Sequence, residues 1–209
     1  MNTELSKRIL SSIILIPLVF YFLLNESFLS IFLIILLFFI SCYEWYKIIR
    51  NKSYEFLGFI FLLFSFYAFY ELSNKPNLLI FVILICISTD IGGYIFGKIF
   101  KGPKLTKISP NKTYAGMIGG YFLSLICLII IINLTDNSIK FFELLVITIL
   151  LSSVSQAGDV TVSYFKRLSK VKNTGNLIPG HGGLLDRIDG MIFAVPTLYL
   201  INFTGYIKI

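Results

Sequence analysis

The chain reads as an all-α integral membrane protein, a polytopic helical bundle of about seven transmembrane helices with two functional cytoplasmic loops. Three observations predict this. Of 209 residues, 56% are hydrophobic and only 14% are charged, and the mean hydropathy is +0.85. Apolar runs approaching the ~20 residues that cross a hydrocarbon core recur along the whole length. The Lys and Arg residues, 18 in all, are gathered into particular connecting segments. The net charge of +7 therefore does not read as nucleic-acid binding.

The first span, Ile9–Leu24, follows Lys7 and Arg8, whose long stems can snorkel. It has the look of a signal peptide, but no small-residue cleavage site follows and further spans do, so it reads as an uncleaved helix. The next spans are Phe28–Tyr43, Phe56–Tyr70, Leu78–Ile95, Met117–Leu134 and Leu144–Ala157. Several are short, and flanking residues are expected to lengthen them. The last, Ile192–Tyr206, contains Pro196, where a kink is expected. With seven spans, alternate connecting segments hold fifteen Lys and Arg on one side and three on the other. The positive-inside rule then puts the N-terminus and both long polar segments in the cytoplasm and the C-terminus outside. Cys42, Cys86 and Cys127 stand singly in or beside apolar runs, without metal spacing, and read as packing residues. There is no internal repeat and no long linker. One transmembrane catalytic domain over 1–209 is expected, with peripheral helices in 1–75 and the catalytic part in 78–209.

The first polar segment, from Ser88 on, holds Asp90, which lies within the fourth apolar run or at its end. A carboxylate there is costly unless it faces a polar cavity, a cation or a metal. Gly92, Gly93 and Gly97 serve either close helix packing or a close backbone approach to a ligand. Five lysines follow between Lys98 and Lys112, mixed with Pro103, Ser109, Pro110, Asn111 and Thr113. Lysines alone would only hold the segment to anionic lipid heads. The stiff, hydrogen-bonding residues among them point to substrate, with Lys107, Ser109 and Lys112 as candidate phosphate contacts.

The second polar segment begins at Gly158-Asp159. Asp159, Ser163, Lys166 and Arg167 fall at i, i+4, i+7 and i+8, so a helix would put them on one face. Lys172 follows, then Pro179-Gly180-His181-Gly182-Gly183, whose glycines let backbone N–H groups approach an anion. His181, the sole histidine, suits a substrate or phosphate contact better than a metal, since no second His or Cys accompanies it. Asp186 and Asp189, at i and i+3, flank Arg187 and repel unless a cation sits between them. Hard oxygen ligands beside phosphate favour Mg²⁺. The segment reads as a site for a polyphosphate and its metal ions. An ion-coupled transporter is the competing class, disfavoured because the polar residues concentrate in loops and no repeat symmetry appears.

Ser163-x-x-Lys166-Arg167-x4-Lys172, then Pro179-Gly180-His181-Gly182-Gly183-x-x-Asp186-Arg187-x-Asp189, resembles the signature of the phosphatidate cytidylyltransferase (CDP-diacylglycerol synthase) family. Asp90-x-Gly-Gly-Tyr94, Lys107-Ile-Ser109-Pro110-x-Lys112-Thr113 and Gly116-x-x-Gly119-Gly120 agree with it. The specific likeness covers residues 88–120 and 155–195. Two positions depart from the family pattern: Asn173 stands where Asp is usual, and Ala115 where Glu is frequent. The chain is also shorter than many members, which implies fewer peripheral helices.

The resemblance implies transfer of a cytidylyl group from CTP to phosphatidate at the bacterial inner membrane, giving CDP-diacylglycerol and pyrophosphate. It implies Asp159, Asp186 and Asp189 as ligands of Mg²⁺, with a second cation, monovalent or divalent, left open. Lys166, Arg167 and His181 join them as catalytic residues. Lys107, Ser109, Lys112, Ser163, Lys172, Gly182, Gly183, Arg187 and Asp90 are the implied substrate contacts. The partners implied are CTP, phosphatidate and membrane lipids, with no nucleic acid; a homodimer is left open.

Overall fold

The computed structural model describes residues 28–49, 54–106, 108–109, 112–134, 141–175, 177 and 182–205. Among these, the regular structure is helical: α1 (Phe28–Ile49), α2 (Glu55–Ser73), α3 (Pro76–Phe100), α4 (Tyr114–Leu134), α5 (Phe141–Leu168), α6 (Leu185–Ile188) and α7 (Met191–Phe203). Five of them, α1 to α5, are long and apolar enough to cross a membrane. At 13 residues, α7 is not. It would rise only ~20 Å, against a hydrocarbon core of ~30 Å. The expected first span lies outside the described residues. Large apolar side chains such as Phe32, Phe56, Leu134 and Phe142 are more than half exposed, as lipid-facing surfaces require.

The helices outrun the apolar segments that announced them. α3 continues ten residues past Asp90, and α5 continues past Asp159 through Lys166 to Leu168. Both polar segments thus begin as helix and only then become loop. Residues 90–100 and 158–168 are backbone-paired and hold their side chains at fixed helical intervals.

The chain divides into two compact units, one built from residues up to Pro76 together with Phe165–Ile188, the other from Asn77–Tyr164 and the residues from Asp189 on. In the first, α1 and α2 pack through Phe38 against Phe66, edge to face at 5.7 Å. Trp45 donates its indole N–H to the Glu55 carbonyl at 3.1 Å and meets Phe165 edge-on at 5.0 Å. Gly58 is where the indole lies, and any side chain there would overlap the ring. These contacts tie the end of α1 to the helical start of the second polar segment.

In the second unit, α3 and α4 meet glycine to glycine. A Cβ on Gly92 would overlap the Gly119 carbonyl, and one on Gly116 would come within 2.7 Å of the Gly93 carbonyl. Small residues at this spacing bring helix backbones into direct contact where lipid offers no hydrophobic drive. α5 meets α3 at Thr89, whose hydroxyl donates to the Ile85 carbonyl (2.8 Å) and is hydrogen-bonded with the Ser152 hydroxyl at 3.0 Å. Tyr121 and Ser153 join α4 to α5 at 2.8 Å.

Candidate active site

Within the first unit, the second polar segment folds around two carboxylates. Asp186, on α6, receives Lys166 Nζ on Oδ1 at 2.7 Å. Its Oδ2 accepts the backbone N–H of Thr174 at 2.8 Å and of Gly183 at 3.1 Å. Both members of the Lys166–Asp186 pair are nearly buried, with side chains 11% and 10% exposed. Burial pushes the Asp186 carboxyl upward. The Lys166 hydrogen bond, the two backbone donors and the Lys166 charge outweigh it and hold the group below the ordinary carboxylate value.

Glu44, near the end of α1, is the second carboxylate and is 1% exposed. It accepts the Thr174 hydroxyl at 2.7 Å, the Leu184 N–H at 2.9 Å and the Leu185 N–H at 2.9 Å. A buried carboxylate with three donors is stable where an unpaired one is not. Gly182 has φ +88°, open to glycine and costly for other residues. Gly183 leaves no room for a Cβ between Thr174 and Glu44. The glycines read from sequence as an anion nest thus also let the loop close on two carboxylates.

Within the second unit, Asp90 on α3, Lys112, and Asp159 on α5 line one cavity of about 350 Å³, with Ser109, Thr113 and Gln156 among its other walls. Lys112 pairs with Asp159, and Ser163 donates to the same carboxylate at 3.5 Å. The connecting segment is shaped by turns. Leu105 N–H donates to the Lys112 carbonyl at 2.8 Å and Lys112 N–H to the Ser109 carbonyl at 3.0 Å. Thr113 accepts the Gly116 N–H at 3.1 Å, capping α4, so its hydroxyl oxygen is already engaged.

The sequence-predicted residues therefore fall into two groups. Lys166, Arg167, Lys172, Gly182, Gly183, Asp186 and Arg187 belong to the first unit, and Asp90, Ser109, Lys112, Asp159, Ser163 and Asp189 to the second. Arg167 is exposed and its guanidinium donates to the Val171 carbonyl at 3.4 Å. Asp189 follows the end of α6 and accepts the Gly190 N–H at 2.9 Å. Lys107 and His181 lie outside the described residues. Glu44 and Thr174 were not read as site residues. Glu44 did carry a signal, a lone carboxylate bordering an apolar run, much as Asp90 was singled out for its place in one.

A cytidylyltransferase family model matches residues 54–204. Phosphatidate cytidylyltransferases of Staphylococcus saprophyticus and Staphylococcus haemolyticus are 37% and 38% identical over 165 residues, as is that of Staphylococcus aureus at 38%. The aligned region is 75% of this chain and 64% of each relative, so the chain spans about 64% of the length of the curated relatives it matches. The match runs from the start of α2 to the end of α7 and takes in both carboxylate-bearing segments; the chain belongs to the cytidylyltransferase family.

Proposed function

We propose that the chain transfers a cytidylyl group from CTP to phosphatidate, giving CDP-diacylglycerol and pyrophosphate, at the cytoplasmic face of a bacterial inner membrane. The names of its relatives support the substrates. The observation that carries the chemistry is the Lys166–Asp186 pair, 2.7 Å apart and nearly buried, in a loop whose glycines bring backbone N–H groups to an anion. A cation and a carboxylate held together in this way suit a polyphosphate and its metal ion.

The phosphatidate phosphate is the nucleophile and is already ionised at neutral pH. No general base is needed, in keeping with the lack of a Ser-His-Asp or Cys-His set in the sequence. A phosphatidate oxygen bonds to the α-phosphorus of CTP, the α–β anhydride bond breaks, and pyrophosphate leaves with the electron pair. The work left to the protein is positioning and charge neutralisation. Lys166, Arg167 and Arg187 would offset the charge on the departing pyrophosphate, and Ser109 and Lys112 would hold substrate phosphate in the cavity of the second unit.

Taken unit by unit, Asp186 is the carboxylate of the first that would hold Mg²⁺, and Asp159 and Asp189 are those of the second. In the second unit, Asp90 and Asp159 offer hard oxygens to one cavity, which suits a divalent cation; in the first, both Asp186 oxygens are engaged by Lys166, Thr174 and Gly183. Among the described residues no three His, Cys, Asp or Glu gather into a closed cage, and Mg²⁺ commonly completes its shell with substrate phosphates and water. Bound there, Mg²⁺ would supply charge neutralisation and polarise the phosphoryl oxygens.

The test is pyrophosphate release by the detergent-solubilised chain, with CTP and phosphatidate present together or singly. Release should require both. Asp186→Asn should lower kcat by about 100-fold or more, since a misplaced contact at the reacting centre costs on that scale. Release with CTP alone, or a variant retaining most of its turnover, would count against the reading.

A further inference from the structure

We propose that Glu44 is a positioning residue for this site: from α1, outside the span matched by the family model, it sets the 182–186 turn and through it the Lys166–Asp186 pair. Three observations converge on it. First, the backbone donors of the turn are divided in order between two carboxylates. Gly183 N–H goes to Asp186, while Leu184 and Leu185 N–H go to Glu44. Second, Thr174 serves both, its N–H on Asp186 and its hydroxyl on Glu44. Glu44 therefore joins the strand of chain around Thr174 to the turn that carries Asp186. Third, both glycines nearest to it are there for its approach. A Cβ on Gly175 would stand 2.8 Å from Glu44 Oε1, and one on Gly183 would overlap Thr174.

A carboxylate sealed among apolar side chains is costly unless fully bonded. An apolar residue in α1 would fill the space without that requirement. It would leave the Leu184 and Leu185 N–H groups and the Thr174 hydroxyl without their acceptor. The turn would lose the anchor that fixes where Gly183 meets Asp186. Glu44 touches no substrate in this scheme; it acts on the reaction through Asp186 and Lys166.

Glu44→Gln keeps the side-chain volume but turns one accepting oxygen into a donor that faces other donors. Two readouts on the full chain in detergent test it. Amide hydrogen exchange in 182–186 should rise by about tenfold or more, with α3 and α4 unchanged. The kcat per folded molecule should fall by about tenfold or more, with the KM for phosphatidate moving less than about threefold. Glu44→Asp, which keeps the charge, should recover part of that kcat. A purely structural role would lower the yield of folded protein and leave kcat in the folded remainder normal; that result overturns the proposal, as does wild-type exchange in 182–186. Should Glu44→Gln not fold, Thr174→Val removes only the hydroxyl, and wild-type exchange in that variant overturns it equally. The catalytic readout rests on the reaction proposed above. If the wild-type chain releases no pyrophosphate, that reading fails by itself, and the exchange result alone decides whether Glu44 sets the turn.

Discussion

Asp186 carries a consequence that can be measured without substrate. Its folded-state value is depressed, so the ionised form is favoured by folding. The stability it contributes is fully present above the unfolded value of about 3.9 and is lost as the pH falls through the lower folded value. Thermal unfolding of the wild-type chain and of Asp186→Asn should differ by a constant amount above about pH 5, and the difference should begin to shrink only below about pH 4. A difference that persists unchanged into strong acid would mean the carboxylate is not preferentially ionised in the fold. Asp186 and Lys166 stood out in the sequence because their types and spacing have a chemical meaning. That they bond each other was not legible, since they stand 20 positions apart in the chain, on different helices. Glu44 was missed for a related reason. Its partners Thr174, Leu184 and Leu185 are about 130 to 141 residues away, and two of the three contacts are backbone N–H groups, which leave no trace in a sequence.

Helix positions were legible in the described residues, and helix ends were not. Hydropathy reports where hydrocarbon stops, while helix hydrogen bonding has no reason to stop there. The 25 residues of α3 and 28 of α5 rise ~37 and ~42 Å, beyond a ~30 Å core. Their surplus turns carry Lys98 at one end and Ser163, Lys166 and Arg167 at the other. The glycines of α3 were read with two alternatives, packing or ligand approach. The backbone contact of Gly92 with Gly119 decides for packing at that position. Gly92→Ala forces a methyl group into a neighbouring helix backbone, which cannot yield as a side chain can. It should destabilise the chain by about 1–3 kcal/mol, seen as a lower unfolding temperature in detergent. Gly97→Ala meets the Thr113 hydroxyl at 3.2 Å and the Gly116 backbone at an ordinary 3.6 Å and should cost clearly less. Equal effects at the two positions would show that the α3–α4 contact is looser than its geometry.

Across the whole molecule, the sidedness of the two polar segments can be argued without knowing the total number of spans. The segment holding Lys104 leaves α3 and enters α4; the segment holding Lys172 leaves α5. Between them lie α4 and α5, both long and apolar enough to cross. Two crossings return the chain to the side from which it started. Neither the first apolar run nor the short α7 enters that count. The positive-inside rule then predicts the cytoplasmic side, because both segments are rich in Lys and Arg. A single cysteine placed at Lys104 or at Lys172, with the native thiols replaced, should react with a membrane-impermeant reagent in inside-out vesicles and stay protected in right-side-out ones. A cysteine at Lys75, one crossing from Lys104, should show the reverse. Labelling of the Lys104 and Lys172 positions from opposite faces would mean that α4 or α5 does not span. The proposed reaction would then lose its common location, since CTP is available on one side of the membrane only.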